Sequence, residues 1–302
     1  MSHRQTVSYL RQRFDDVGLS PDTRHGQNFL IDLNLVNFLV DAAQLEPRDV
    51  VLEIGTGTGS LTALMAPRVA SVVTVEIDAN VQQLAAEELA GSPNVVMLLQ
   101  DALKNKNRFA PEVLAAVEQQ LAVDPERRLK LVANLPYNVA TPIVSNLLLT
   151  PFTPALMVVT IQKELAERIT AAPSTKDYSA LSVWMQSLCD VELLRILGPT
   201  VFWPRPKVDS AIIRVTPRAE KRARFADLPF YHTFVRSLFF HRRKFLRSVL
   251  RSSMKGRLEK EHIDAVMDSL GLGPESRAEE LPVERIIELA EAVRLKLNEV
   301  GG

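Results

Sequence analysis

Between about residues 50 and 215, short runs of β-branched and other apolar residues alternate with longer segments whose apolar positions recur at i, i+3 and i+4. The first pattern is that of strands covered on both faces, and the second that of helices with one buried face. Strands are predicted at 50–54, 72–77, 95–100, 129–134, 156–161, 191–197 and 211–216, with crossover helices at 61–69, 81–89, 143–149 and 181–188. Thr141 before Pro142 predicts an N-cap with proline at the first helical position. Strict alternation of the two element types predicts an α/β fold, a doubly wound Rossmann-like sheet.

Beyond Pro217 no strand-like run recurs, and 230–239, 244–254, 262–270 and 283–297 carry helical periodicity. The expected division is therefore an α/β domain over 1–217 and a small all-α domain over 218–302, joined by the charged stretch 218–224. The stretch 104–125 is less regular and predicts one inserted helix at 112–121. No internal repeat is visible.

The 302 residues, 46% hydrophobic and 24% charged, exclude disorder or a fibrous repeat as a description of the whole chain. No apolar run reaches the roughly 18 residues of a membrane span, so no membrane association is expected. Residues 1–16 are polar and basic, and Cys189 has no second cysteine to pair with, so a reducing, cytoplasmic setting is expected. No His or Cys stands at metal-ligand spacing, no Ser-His-Asp or phosphate-loop pattern occurs, and no metal is expected. Cys189 and Trp184 read as core residues, Trp203 as a neighbour of the base pocket, and His25 as a solvated side chain. Nothing suggests an obligate oligomer, so a monomer is the default.

The first strand runs into Gly55-Thr56-Gly57-Thr58-Gly59-Ser60 and then directly into a helix. Such a turn exposes backbone donors and lets a ligand approach closely. A dinucleotide fingerprint wants a third glycine where Ser60 stands. The second strand ends at Glu76, roughly 20 residues on, where an acid accepts hydrogen bonds from ribose hydroxyls. Asp101, closing the third strand, is placed to accept one from an adenine amino group. Acids at the ends of successive strands around a glycine turn describe a pocket for an adenosine-bearing cofactor without a pyrophosphate. S-adenosylmethionine fits that description.

The fourth strand ends in Asn134-Leu135-Pro136-Tyr137. The Asn134 side-chain carbonyl and the neighbouring backbone carbonyl at Leu135 can accept the two protons of an exocyclic amine, while the Tyr137 ring stacks on the base. Further along, 236–257 contains eight Lys or Arg and no acid, although the 36 basic and 36 acidic side chains of the whole chain cancel. Phe239, Phe240 and Phe245 are expected to pack inward there, leaving Arg242, Arg243, Lys244, Arg247 and Arg251 for RNA phosphates. Arg4, Arg11, Arg13 and Arg24 are expected to extend that surface, and His241 belongs to the same stripe.

Taken together, these motifs resemble the KsgA-type rRNA adenine dimethyltransferases, relatives of the Erm methyltransferases, from about Arg24 to Arg251. Gly26-Gln27-Asn28-Phe29-Leu30 looks like that family's cofactor-covering segment, which implies contacts to S-adenosylmethionine from Asn28 and Leu30 beside Gly55, Glu76, Asp101 and Asn134. The run 202–210 is similar to the family's loop before its last strand, which implies that Phe202 closes on the adenine face opposite Tyr137. The resemblance implies dimethylation of two adjacent adenosines near the 3′ end of small-subunit (16S) rRNA within a pre-ribosomal particle. Leu135, the 138–141 continuation and the Phe-x-x-Arg-Arg-Lys-like stretch favour KsgA over Erm. Thr56 and Thr58 replace the family's more familiar Pro and Leu, and 104–125 is longer than usual. Two alternatives stay open: Erm-like methylation of 23S rRNA, and an RNA-binding assembly or transcription factor with little catalytic role.

Overall fold

All seven expected strands form one sheet in a computed structural model that describes residues 7–16, 18, 27–241 and 244–301. They are β1 (Asp49–Ile54), β2 (Ser71–Glu76), β3 (Val95–Leu99), β4 (Arg128–Asn134), β5 (Leu156–Gln162), β6 (Cys189–Leu197) and β7 (Ser210–Pro217). Their order across the sheet is β3-β2-β1-β4-β5-β7-β6. The pairs β1–β2, β1–β4, β2–β3 and β4–β5 are parallel, and β7 runs antiparallel to β5. All positions of β1 and β2 are buried, as their apolar runs require, whereas β3 and β6 lie at the sheet edges and are partly exposed. Strand order reverses beside β1, and the carboxyl ends of β1 and β4 at such a switch point frame a ligand crevice.

The first eight helices along the chain are α1 (Val7–Asp16), α2 (Leu33–Ala42), α3 (Ser60–Met65), α4 (Ala79–Glu88), α5 (Pro111–Leu121), α6 (Ala140–Leu147), α7 (Lys163–Thr170) and α8 (Ala180–Leu188). The helix α1 was not expected in a polar N-terminus, yet Leu10 and Phe14, one turn apart, are 0% and 1% exposed. Phe14 meets Phe29 and Trp203 edge-on at 5.4 and 5.3 Å, so Trp203 belongs to this aromatic cluster. Nor was α2 expected, although Asp32 caps it by accepting from the Asn34 amide at 2.9 Å. The start of α6 also differs: Val139 is its N-cap, and Pro142 stands at the third helical position.

The chain divides into two compact units, Met1–Ala166 with Glu192–Pro217, and Glu167–Val191 with Arg218–Gly302. The expected cut at 217 therefore omits an excursion, because α8 belongs to the helical unit and is not a crossover of the sheet. Its Val183, Trp184, Met185 and Leu188 are all buried, and a helix that apolar needs partners on several sides. Trp184 packs on Tyr231 and His232, with ring centroids 6.2 and 4.6 Å away. The rest of this unit is α9 (Ala219–Arg222), which replaces the expected linker, α10 (Leu228–Phe239), α11 (Leu246–Ser253), α12 (Lys260–Ser269) and α13 (Val283–Gly301). Cys189 is 1% exposed, and burial pushes its thiol up to about 12, which leaves it an inert packing residue.

Candidate active site

The glycine turn leaving β1 has a shape only glycine fills. Gly55 has φ +86°, and a Cβ there would stand 3.3 Å from the Pro136 ring. Gly57 has φ +57°, and a Cβ there would stand 3.3 Å from the Phe29 ring. The turn is thereby held against both the Asn-Leu-Pro-Tyr run and the segment containing Asn28. From the next strand, Glu76 Oε2 accepts the Gly57 amide at 3.0 Å, and Oε1 accepts those of Ile77 and Asp78 at 2.9 and 3.1 Å. Burial raises the Glu76 pKa, and the three amide donors oppose that rise.

Around this turn the carboxyl ends of β1 to β4 enclose a cavity of about 150 Å³, with Asn28, Leu30, Gly55, Glu76, Asp101 and Asn134 in its wall. All six residues expected to hold a cofactor are therefore brought together. Asp101 Oδ1 accepts the Leu103 amide at 2.8 Å, which fixes the carboxylate at the rim. Gln100, which also lines the cavity, has a buried Nε2 with no partner among the described residues. An orphaned donor costs free energy until a ligand acceptor reaches it. Together with an acid on each of two strand ends and a backbone cradle that a Cβ would obstruct, it fits an adenosine-bearing ligand.

Sequence reasoning missed Glu53, which lies under the cavity and is 1% exposed. Its Oε2 accepts from Thr62 Oγ1 at 2.5 Å and Thr74 Oγ1 at 2.7 Å. Thr74 has one proton and gives it to Glu53, so the 2.7 Å contact between Thr56 and Thr74 has Thr56 donating. The chain of hydroxyls ties the glycine turn to β2. Burial, reinforced by the charge of Glu76, pushes Glu53 from 4.5 up to about 8 against the two hydroxyl bonds.

The folded protein therefore keeps this proton between about pH 4.5 and 8 while the unfolded chain loses it. Its contribution to stability is full below pH 4.5 and declines as pH rises toward 8. Glu53→Gln reproduces the neutral form. Thermal melts are expected to show little change at pH 4.5 and a gain on the order of 4 kcal/mol at pH 8. An equal effect at both pH values contradicts this assignment.

On the target side, Asn134 Nδ2 donates to the Asn28 carbonyl at 2.8 Å. That bond sets the amide orientation and leaves Oδ1 as the side chain's acceptor. Leu135 is 1% exposed, and its amide donates to the Thr160 carbonyl at 3.1 Å, which fixes the backbone of the run. Tyr137 is half-buried, with its hydroxyl 2.6 Å from Ser210 Oγ. Phe202 differs from expectation. It is 3% exposed in an apolar cluster with Leu30, Leu35 and Val36 and is absent from the cavity wall. Its strand, Phe202–Trp203, pairs antiparallel with Phe29–Leu30, so in this structure it anchors the segment containing Asn28 and offers no open face to a base.

Of the basic stripe, Arg242 and Arg243 lie outside the described residues, as do Arg4, Arg24 and His25. Lys244 and Arg251 are exposed. Arg247 is instead held bidentately by Asp264, with Nε 2.6 Å from Oδ1, and Arg13 is paired with Glu87 at 2.8 Å. The aromatics depart from the expected inward packing. Phe239 packs on Tyr178 at 5.8 Å, but Phe240 is 81% exposed and Phe245 42%, because they fall beyond the buried stripe of α10 and before that of α11. Among the described residues no group of three His, Cys, Asp or Glu is arranged to hold a metal ion.

Residues 19–294 match the family model for ribosomal RNA adenine dimethylase. The chain is 37% identical to the ribosomal RNA small subunit methyltransferase A of Halothermothrix orenii, over 92% of this chain and 89% of that one. It is 39% identical to the protein of that name from Pediococcus pentosaceus, over 95% and 94%. Among solved structures, the 23S rRNA methyltransferase ErmE superposes with a TM-score of 0.61 at 27% identity, covering 88% of this chain and 99% of that one.

Proposed function

Because this chain belongs to the ribosomal RNA adenine dimethylase family, we propose that it transfers methyl groups from S-adenosylmethionine to the exocyclic amines of two adjacent adenosines near the 3′ end of small-subunit (16S) rRNA. The observation that carries this reading is the Asn134 amide, which stands at the cofactor cavity with its nitrogen committed to Asn28 and its oxygen left to accept an amine proton. When bound, S-adenosylmethionine supplies an electrophilic methyl group on a sulfonium.

This chain's residues supply position. Glu76 and Asp101 would hold the ribose and the adenine of the cofactor, with Asn28, Leu30 and Gly55 closing around it. Asn134 Oδ1 and the Leu135 backbone would accept the protons of the target amine, whose lone pair is otherwise delocalised into the ring. Holding that nitrogen pyramidal and about 3–3.5 Å from the methyl accounts for most of the rate. No strong base is required, since a methylated ammonium is acidic enough to lose its proton to water. Tyr137 would supply the stacking face, with Ser210 fixing its hydroxyl. Ser210→Ala is therefore expected to lower kcat by about 3- to 10-fold, the value of roughly one hydrogen bond, with cofactor affinity unchanged in a calorimetric titration. Loss of cofactor affinity contradicts the assignment.

The expected substrate form is a pre-ribosomal particle, engaged by a monomer in the cytoplasm through Arg242, Arg243, Lys244 and Arg251. In support, the relatives are named for the small ribosomal subunit. The structural likeness to ErmE favours large-subunit RNA as the second reading. The two are separated by incubating the protein and radiolabelled S-adenosylmethionine with unmethylated small-subunit particles and, in parallel, with protein-free large-subunit RNA. Label in the small-subunit sample alone is expected. Label confined to large-subunit RNA supports the second reading, and label in neither, with cofactor bound, leaves an RNA-binding factor.

A further inference from the structure

Immediately after Asp101 the chain forms a hairpin of two short strands, Leu103–Asn105 and Arg108–Phe109. Residues 102–111 include Lys104, Lys106 and Arg108 and no acid, and the whole run from Lys104 to Arg108 is exposed. The hairpin is held firmly at both ends. Leu103 and Phe109, which pair across it, are 7% and 5% exposed. The Ala110 amide donates to the Ala102 carbonyl at 2.9 Å, and the Leu103 amide donates to Asp101 at 2.8 Å. At the tip, Asn105 Oδ1 accepts the Asn107 amide at 2.9 Å, while Asn146 of α6 donates its side-chain amide to the Lys106 carbonyl at 3.1 Å.

These anchors place the cations with respect to the chemistry. One root of the hairpin is the cavity-lining pair Asp101 and Ala102, and the tip is tied to the helix that follows the Asn134 to Tyr137 run. Many surface cations of this neutral chain are paired, among them Arg68 with Asp41, Arg128 with Glu46, Arg214 with Glu192 and Lys296 with Glu299. Lys104, Lys106 and Arg108 have no acidic partner among the described residues. Three cations with no acidic partner among the described residues, on a hairpin tied down at both ends beside the cavity, are suited to holding phosphates, whereas exposed charges contribute little to stability.

We propose that the 103–109 hairpin is a second RNA-binding surface, carried by the catalytic unit itself, whose Lys104, Lys106 and Arg108 hold the phosphate backbone flanking the target adenosines. This rests on the rRNA reading above. It also gives a role to part of the stretch 104–125. The hairpin positions RNA and takes no part in the transfer, so its signature is a change in KM and salt dependence with kcat retained.

The test is the triple variant K104A/K106A/R108A beside the charge-conserving double variant K104R/R108K, with melting temperatures confirming that both fold. Methylation of unmethylated small-subunit particles is measured, together with equilibrium binding of protein-free small-subunit 3′-end RNA at 50 to 300 mM salt. For the alanine variant, KM is expected to rise about tenfold and the slope of log K against log salt to flatten by roughly 2, at about 0.7 per lost phosphate contact. Cofactor affinity and kcat remain unchanged, and the conservative variant behaves as wild type. An unchanged KM and slope overturn the proposal. A defect on particles but not on protein-free RNA also overturns it, assigning the hairpin to an acidic protein surface. Should the wild type leave the particles unmethylated while the alanine variant still loses its salt slope, the function reading fails and the hairpin assignment stands.

Discussion

Asn134→Ala is expected to lower the single-turnover rate of methyl transfer by roughly 10²- to 10³-fold, the range found when a positioned polar group at a reacting centre is removed. Under the proposed role the side chain has two tasks divided between its atoms: Nδ2 donates to the Asn28 carbonyl, and Oδ1 would accept from the substrate amine. Alanine abolishes both, so some loss of cofactor affinity accompanies the loss of rate. Asn134→Asp distinguishes the two: it sets a carboxylate oxygen against the Asn28 carbonyl oxygen but keeps an acceptor for the amine, so it is expected to weaken cofactor binding more than alanine does while retaining more of the transfer rate at saturating cofactor. A transfer rate within about threefold of wild type in the alanine variant, a difference under 1 kcal/mol, contradicts the role given to Asn134.

Glu76→Ala is expected to weaken S-adenosylmethionine binding by about 100-fold or more, since two hydrogen bonds to a charged acceptor are worth about 1.5–3 kcal/mol each. The carboxylate is already oriented by the Gly57, Ile77 and Asp78 amides, so little ordering remains for a ligand to impose. Glu76→Gln is not a mild replacement. Its amide nitrogen must face one or more of those backbone donors, so affinity is expected to fall there also. Calorimetric titration measures both variants without any RNA present. Unchanged affinity in Glu76→Ala removes the ribose assignment, and with it the account of why an acid stands at the end of β2.

Much of this site was legible in the sequence because it is built at strand ends. Apolar runs locate a strand's end within a residue or two, and in a parallel sheet the carboxyl ends of neighbouring strands converge. Gly55, Glu76, Asp101 and Asn134 therefore met in one cavity as the order of their strands implied. What was not legible depends on partners distant along the chain. The Arg247–Asp264 pair spans 17 residues and the Arg13–Glu87 pair 74, so neither cation could be recognised as engaged from its own neighbourhood. Leu10 and Phe14 were hidden by the polar residues around them, although their one-turn spacing was a signal. The periodicity of α8 showed a helix with extensive apolar surface but not which unit it packs in. Glu53 looked like any strand-end acid until Thr62 and Thr74 were seen to enclose it. Phe202 was assigned by resemblance alone, and its burial depends on pairing with Leu30, 172 positions earlier.

The most direct measurement is mass spectrometry of ribonuclease fragments from small-subunit RNA, after unmethylated particles have been incubated with this protein and S-adenosylmethionine. The predicted result is a single fragment from near the 3′ end carrying two adjacent dimethyladenosines, absent when the Asn134→Ala protein is used. Monomethylated adenosine only, methylation elsewhere in the RNA, or an unmodified fragment despite bound cofactor would contradict the account.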